Sequence, residues 1–126
     1  MVKASLVEED IRAGESLIKA LDEARFRATA ALWLYSSERG QWRLVVASPE
    51  VYEHGPRQAY TRVQSILARS SLAISLRDVS LVSPQHDLIR LLSRAIRTGP
   101  GISGIRFTAN TIDNVFIEDA YIYRLQ

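Results

Sequence analysis

A chain of 126 residues, 47% hydrophobic and 24% charged, has the size and composition of one globular domain, residues 1–126, able to bury its own core. It has no cysteine, which excludes a disulfide framework and any thiolate metal site. Net charge is only +2, no apolar run reaches the ~20 residues of a membrane span, and "MVKASLVEED" turns acidic where a signal peptide would be apolar, so a cytoplasmic protein with no membrane partner is expected.

The first element is a helix in "SLVEEDIRAGESLIKALDEAR". Ser5 and Glu8 stand at capping-box spacing, Glu8, Glu9 and Asp10 suit the positive end of the helix dipole, and Ile11, Gly14, Leu17, Ile18 and Leu21 recur at helical period. "FRATAALWLYS" then alternates, with Phe26, Ala28, Ala30, Leu32 and Leu34 on one face and Arg27, Thr29, Trp33 and Tyr35 on the other. With the turn "SERGQ" and the run "WRLVVAS" it predicts a β-hairpin.

Two segments echo each other: "LVVASPE" and "VSLVSPQ" both run an apolar strand into Ser-Pro. After the first, "VYEHG" intervenes and Pro56 opens the helix "PRQAYTRVQSILARS", with Tyr60, Val63, Ile66 and Leu67 as its buried stripe. "LAISLRDVSLV" reads as a strand whose apolar phase shifts between Leu76 and Val79, which marks a bulge at Arg77–Asp78. Ser83 then caps, and Pro84 begins, a helix containing "DLIRLLSRAIR" and ending at Arg97, with Leu88, Leu91, Leu92, Ala95 and Ile96 on its apolar face. "IRFTAN", the turn "TIDN" and the long strand "VFIEDAYIYRL" complete the chain. The order α-β-β-α-β-α-β-β predicts an α/β (α+β) fold, a mixed sheet of about five strands with three helices packed on it.

Residues 98–107, "TGPGISGIRF", hold Gly99, Gly101 and Gly104 at G-x-G-x-x-G spacing, with Asp119 twenty residues after Gly99. A dinucleotide fingerprint must follow a strand and open a helix, so that the pyrophosphate meets the positive helix end. Here a predicted helix precedes the glycines and a strand follows them, so phosphate would face the negative end. Gly99 reads instead as a left-handed C-cap and Pro100 as a stop, and no cofactor is expected.

His54 in "YEHGP" and His86 in "SPQHD" follow predicted strand ends, the edge where open sheets place their sites, and form a candidate loop site. Their neighbours Glu53 and Asp87 are adjacent in sequence and therefore do not face them, so the plainer reading is a loop histidine and a first-turn histidine. There is no G-x-S-x-G, and Ser48 and Ser83 read as turn and cap residues. A nuclease-like magnesium site could join Asp78 to Glu118 or Asp119, but Glu118 and Asp119 point to opposite faces of a regular strand. The only lysines, Lys3 and Lys19, lie near the first helix, away from these acids, and no metal is expected.

Charge is unevenly spread. Residues 1–24 hold six acids against Lys3, Arg12 and Lys19, whereas residues 54–106 hold eight arginines against Asp78 and Asp87. Arginine outnumbers lysine fourteen to two, a bias that suits phosphate and carboxylate recognition but that a GC-rich genome also produces. Arg90, Arg94 and Arg97 form a stripe at i, i+4 and i+7 opposite the apolar face of their helix, with Arg106 expected close by across the glycine loop. They make a candidate anion-binding surface, or simply a solvated face that complements a helix dipole. Aromatic residues nearby are few, Tyr60 and Phe107, which argues against stacking on single strands.

The first functional expectation is a non-enzymatic interaction or accessory module of a prokaryotic-type cytoplasmic system, self-associating or docking on a protein partner. The alternative is a nucleic-acid or other polyanion binder, with nuclease association as its furthest extension. A homo-oligomer, first of all a homodimer, is expected because the first and last strands carry large side chains on both faces: Leu32 and Leu34 against Trp33 and Tyr35, and Ile117, Tyr121 and Tyr123 against Phe116 and Ile122. Nicotinamide and flavin nucleotides are expected to leave the melting temperature unchanged in a thermal-shift assay. A left-handed Gly99 would make Gly99→Ala cost more than ~1 kcal/mol in denaturant unfolding.

Overall fold

The computed structural model describes residues 5–126 of the chain. Lys3, placed by the sequence beside the first helix, lies outside them. Helix α1 spans Glu8–Glu23 and buries Gly14, Leu17, Ile18 and Leu21. Its cap is Val7 rather than Ser5: the side chain of Asp10 reaches back and accepts the Val7 N–H at 3.0 Å. The acidic first turn therefore stops the helix locally as well as matching its dipole.

Strands β1 (Ala30–Ser36) and β2 (Gln41–Ala47) form the expected antiparallel hairpin, paired from Ala30↔Ala47 to Ser36↔Gln41. A single helical turn, α2 (Glu50–Glu53), occupies the segment read as a loop, with Ser48 Oγ accepting the Glu50 N–H at 3.1 Å. Helix α3 (Pro56–Ser70) buries Ala59, Val63, Ile66 and Leu67. Tyr60 is half-buried, because its hydroxyl reaches the sheet and accepts the Leu81 N–H at 3.0 Å.

Strand β3 is only Val79–Val82, parallel to β2. The phase shift at Arg77–Asp78 comes from a 3-10 turn over Leu76–Asp78, capped by Ser75, and no bulge is present there. Helix α4 spans Asp87–Ala95, strand β4 Ile105–Ile112 and strand β5 Val115–Leu125. Asp113 and Asn114 join the last two strands, with φ of 48° and 68°, the left-handed pair that a two-residue hairpin turn requires.

The strands form one five-stranded mixed sheet in the order β3-β2-β1-β5-β4, and the architecture is α+β in the expected order α-β-β-α-β-α-β-β when the single turn α2 is set aside. Helices α1 and α3 cover one face, over Ala31, Trp33, Leu44, Val46, Val79, Leu81 and Tyr123. Helix α4 lies on the other, over Ala30, Leu32, Val45, Ala47, Ile122 and Leu125. Burial on both faces accounts for the large residues on both sides of β1 and β5. Those two strands are interior, not edges, and Leu32, Trp33, Ile117, Ile122 and Tyr123 are buried within the chain itself, so self-association no longer rests on them.

Phe26 and Ala28 precede β1 and pack in the Trp33 layer rather than with Leu32. On α4 the buried residues are Ile89 and Leu92, with Leu88 and Leu91 half-buried and Ala95 exposed. The helix also ends earlier than expected: Ile96 is extended (φ −136°, ψ 130°), so Arg97 lies beyond it. Having left the helix at Ile96, the chain needs no left-handed residue at Gly99, and among the described glycines only Gly40 and Gly55 have positive φ. The loop is instead pinned along β5: Thr98 N–H donates to the Leu125 carbonyl at 2.8 Å, Leu125 N–H to Thr98 Oγ1 at 2.9 Å and Ser103 N–H to the Tyr123 carbonyl at 2.7 Å.

Strand β5 carries a bulge. Ala31 pairs with Arg124 and Leu32 with Ile122, leaving Tyr123 unmatched. Tyr123 and Arg124 consequently both reach the α1 side. The Tyr123 hydroxyl donates to the Ile11 carbonyl at 2.6 Å and accepts from Trp33 Nε1 at 3.0 Å, and burial pushes its pKa above the ordinary phenol range. Arg124, 3% exposed, donates to both Asp22 carboxylate oxygens at 3.0 and 2.8 Å and to the Ala28 and Gly101 carbonyls at 2.9 and 3.1 Å.

A Cβ on Gly14 would overlap the Tyr123 hydroxyl and stand 3.0 Å from Trp33 Nε1. Both partners are locked by their own hydrogen bonds. The clash therefore outweighs the better helix propensity of alanine, and Gly14→Ala is expected to destabilise by about 1–3 kcal/mol in denaturant unfolding. Around Gly99 nothing lies within 4 Å of such a Cβ, so Gly99→Ala is expected to be close to neutral in the same assay.

Candidate anion-binding cleft

On α4, Arg90 and Arg94 stand one turn apart with Ser93 between them, and Arg97 follows just past the helix end. The helix faces the end of the sheet where β1 begins and β5 finishes, two segments joined to each other by the Gln126 N–H donating to the Thr29 carbonyl at 3.0 Å. Between them lies a cleft of about 560 Å³, lined by Thr29, Pro84, Ile89, Arg90, Ser93, Arg94, Arg97 and Gln126. No Asp or Glu side chain lines it. Arg94 Nη1 donates to Asp113 Oδ2 at 2.6 Å on the β4–β5 turn, an exposed pair. The side chains of Arg90 and Arg97 have no hydrogen-bond or ion-pair partner among the described residues. The structure thus brings three of the four predicted arginines together.

Arg106 is elsewhere. Ile105 and Phe107 pack on the α4 side, so Arg106 points to the opposite face of the sheet. It donates to the two oxygens of Asp119 at 2.7 and 2.6 Å and stacks 5.5 Å from the centre of the Trp42 ring. Thr108 Oγ1 adds a bond to the same carboxylate at 3.1 Å. The Arg106 guanidinium, with help from Thr108, holds the Asp119 carboxyl below the usual carboxylate range.

The loops of His54 and His86 do leave the sheet side by side, since Ala47 and Val82 are paired and Ser48 N–H donates to the Val82 carbonyl at 3.0 Å. No hydrogen bond connects the two histidines, which are exposed. Glu53, next to His54, is engaged by Arg27. His86 is the N-cap of α4: its Nδ1 accepts the Leu88 N–H at 3.1 Å. Ser83 had been expected in that role; it closes a turn instead, its Oγ accepting the Gln85 N–H at 3.1 Å, because Ser83–His86 form a separate turn before the helix begins.

Asp78 enters β3 and Asp119 lies on β5, with β2 and β1 between them, so about 14 Å of sheet separates the carboxylates once proposed to share an ion. Among the described residues no group of three His, Asp or Glu side chains is placed to hold a metal.

At the far end of β1 lies a second surface that the sequence did not reveal. One cleft of about 430 Å³ is lined by Tyr35, Trp42, Thr108, Ala109, Glu118 and Asp119. Beside it, one of about 250 Å³ is lined by Leu34–Glu38 and Phe116–Glu118. Tyr35 and Glu118 border both. Phe116 is 60% exposed and the neighbouring Val115 46%. Glu118 and Asp119 share a cleft because the strand is irregular there: Ala109 has φ of 48°, and Ile117 and Ala120, three residues apart, both pack on the α4 side. The signal available in the sequence was Phe116, an aromatic residue next to a turn.

No protein-family model matches the chain, and no curated protein or solved structure matches it either. Among the described residues no helix is long and apolar enough to cross a membrane.

The Arg106–Asp119 pair gives a pH test. A carboxyl whose folded pKa lies below its unfolded value contributes stability above about pH 4 and loses it as pH falls through the folded value. Asp119→Asn is therefore expected to melt at a lower temperature than the wild type at neutral pH, with the gap closing below about pH 4 in parallel thermal scans.

Proposed function

We propose that this protein is a non-catalytic interaction module whose α4 cleft grips an anionic surface of its partner. The observation that carries the reading is the convergence of Arg90, Arg94 and Arg97 on one cleft with no Asp or Glu side chain in its lining. Guanidinium forks recognise carboxylates and phosphates through paired hydrogen bonds, and they do so best where no internal acid competes. The Asp113–Arg94 pair illustrates the chemistry the cleft rim accepts. A prokaryotic-type cytoplasmic setting belongs to the same proposal, and the absence of cysteine is compatible with it.

Nucleic acid is the second reading, favoured by Arg90 and Arg97 standing unpaired on a polar cleft rim. Duplex binding would weaken with salt with a log–log slope near −0.9 per phosphate neutralised and would show little sequence preference, since no base-reading motif is visible.

Titration of polyglutamate, duplex DNA and single-stranded DNA at low and moderate salt tests both readings. The expected result is saturable, salt-sensitive binding of at least one polyanion, abolished by Arg90→Glu with Arg97→Glu. These two positions make no side-chain contact that the fold needs, so the variant is expected to melt like the wild type. Absence of polyanion binding at low salt, or binding that survives the double change, would remove the cleft as the site.

A further inference from the structure

We infer that the anionic surface gripped by the arginine cleft is the acidic, aromatic end of a second copy of this chain, so that copies associate head to tail. This inference rests on the cleft reading above and names its partner.

The two surfaces sit at opposite ends of one strand. Thr29, immediately before β1, borders the arginine cleft, while Ser36, its last residue, and Glu38 border the acidic end. Seven residues of strand place them roughly 24 Å apart at about 3.4 Å per residue. A cleft at one end of a strand is out of reach of an acidic patch at its other end within the same molecule, but two molecules in series bring them together.

The charges are complementary and unused. Arg90 and Arg97 on one side, and Glu38 and Glu118 on the other, make no side-chain ion pair within the described fold. The chain as a whole is nearly neutral at +2. A basic patch on one face also suits a polyanion, but the acidic end would repel one. Separated charges of both signs on a nearly neutral molecule are instead self-complementary.

The acidic end also offers an apolar anchor. Phe116, 60% exposed, lines the same cleft as the two glutamates, and the arginine cleft has Ile89 and Pro84 among its lining. An aromatic anchor seated on an apolar floor and ringed by opposite charges is the arrangement that concentrates binding energy in protein interfaces. Because the two surfaces differ, the contact is heterologous: it closes into a ring if the rotation permits and otherwise continues as a chain.

Complementary charge reversal tests the inference by sedimentation velocity on the whole chain. One variant is Arg90→Glu with Arg97→Glu; the other is Glu38→Arg with Glu118→Arg. All four positions are exposed and unpaired, and thermal melts confirm that each variant is folded. The wild type is expected to self-associate with rising concentration, and to do so less between roughly 0.1 and 1 M salt as the Debye length shortens. Each variant alone is expected to lose at least about a hundredfold in association constant, since like charges then face each other. An equimolar mixture is expected to associate again, because the intact cleft of one variant meets the intact acidic end of the other and the two reversed surfaces are also opposite in charge. A wild type that stays monomeric at low salt and high concentration overturns the inference. So does self-association that either variant leaves intact, or a mixture that fails to pair. If the inference fails while polyanions still bind through Arg90 and Arg97, the cleft reading stands with a foreign partner; if those arginines bind nothing in either experiment, both fall.

Discussion

The fold is held together at one irregular place, the bulge in β5 at Tyr123. A regular strand would have sent Tyr123 and Arg124 to opposite faces. The unmatched residue lets both reach the α1 side, where Tyr123 ties Trp33 to the Ile11 carbonyl and Arg124 ties Asp22 to the Ala28 and Gly101 carbonyls. A buried guanidinium is tolerated only when its donors are matched. Those of Arg124 gather the end of α1, the approach to β1 and the glycine loop around one cation. Gly14 is the space that lets the Tyr123 hydroxyl approach the helix backbone. Among the described residues no buried side-chain polar atom is left without a partner.

Arginine serves two purposes in this molecule, and counting arginines conflates them. Arg62 is half-buried, holds the buried Glu50 carboxylate and reaches the Ala24 carbonyl, fastening α3 to α2 and to the end of α1. Arg124 and Arg106 are similarly committed, one to Asp22 and one to Asp119. The excess of positive charge over residues 54–106 is therefore not one basic surface. What remains for a partner on α4 is a small group around Ser93, and the acids left without an ion pair at the other end of β1 are equally few.

The element order was legible because each segment carries a clean period, and α1, α3 and the β1–β2 hairpin could be placed from their apolar spacing alone. Errors fell where a long-range contact sets a boundary. The stretch Leu76–Asp78 looks like a bulged strand, since a 3-10 turn also shifts the apolar phase. Ser-Pro looks like a helix start, yet His86 supplies the cap because Ser83 is used in a turn. Arg90 and Arg94 were legible as a pair because helix geometry is local, whereas Arg97 joins them from beyond the helix end. The side taken by Arg106 depends on how β4 registers against β5, which no local pattern states. The acidic end was illegible for the same reason: Glu118 joins Asp119 only through the irregularity opposite Ala109.

The position of β5 has a consequence for how the chain comes into being on the ribosome. β5 is the last strand in sequence, yet it lies between β1 and β4 in the sheet. Until residues 115–125 emerge, β1 has a partner on one side only, and its apolar run Ala30–Leu34 presents an open edge of backbone donors and acceptors. The sequence-distant pairing of β1 with β5 thus waits until residues 115–125 are made, which places the period of greatest aggregation risk before β5 arrives. Nascent chains truncated before residue 115 would hold the β1–β2 hairpin and α1 together without the tyrosine and arginine that lock them.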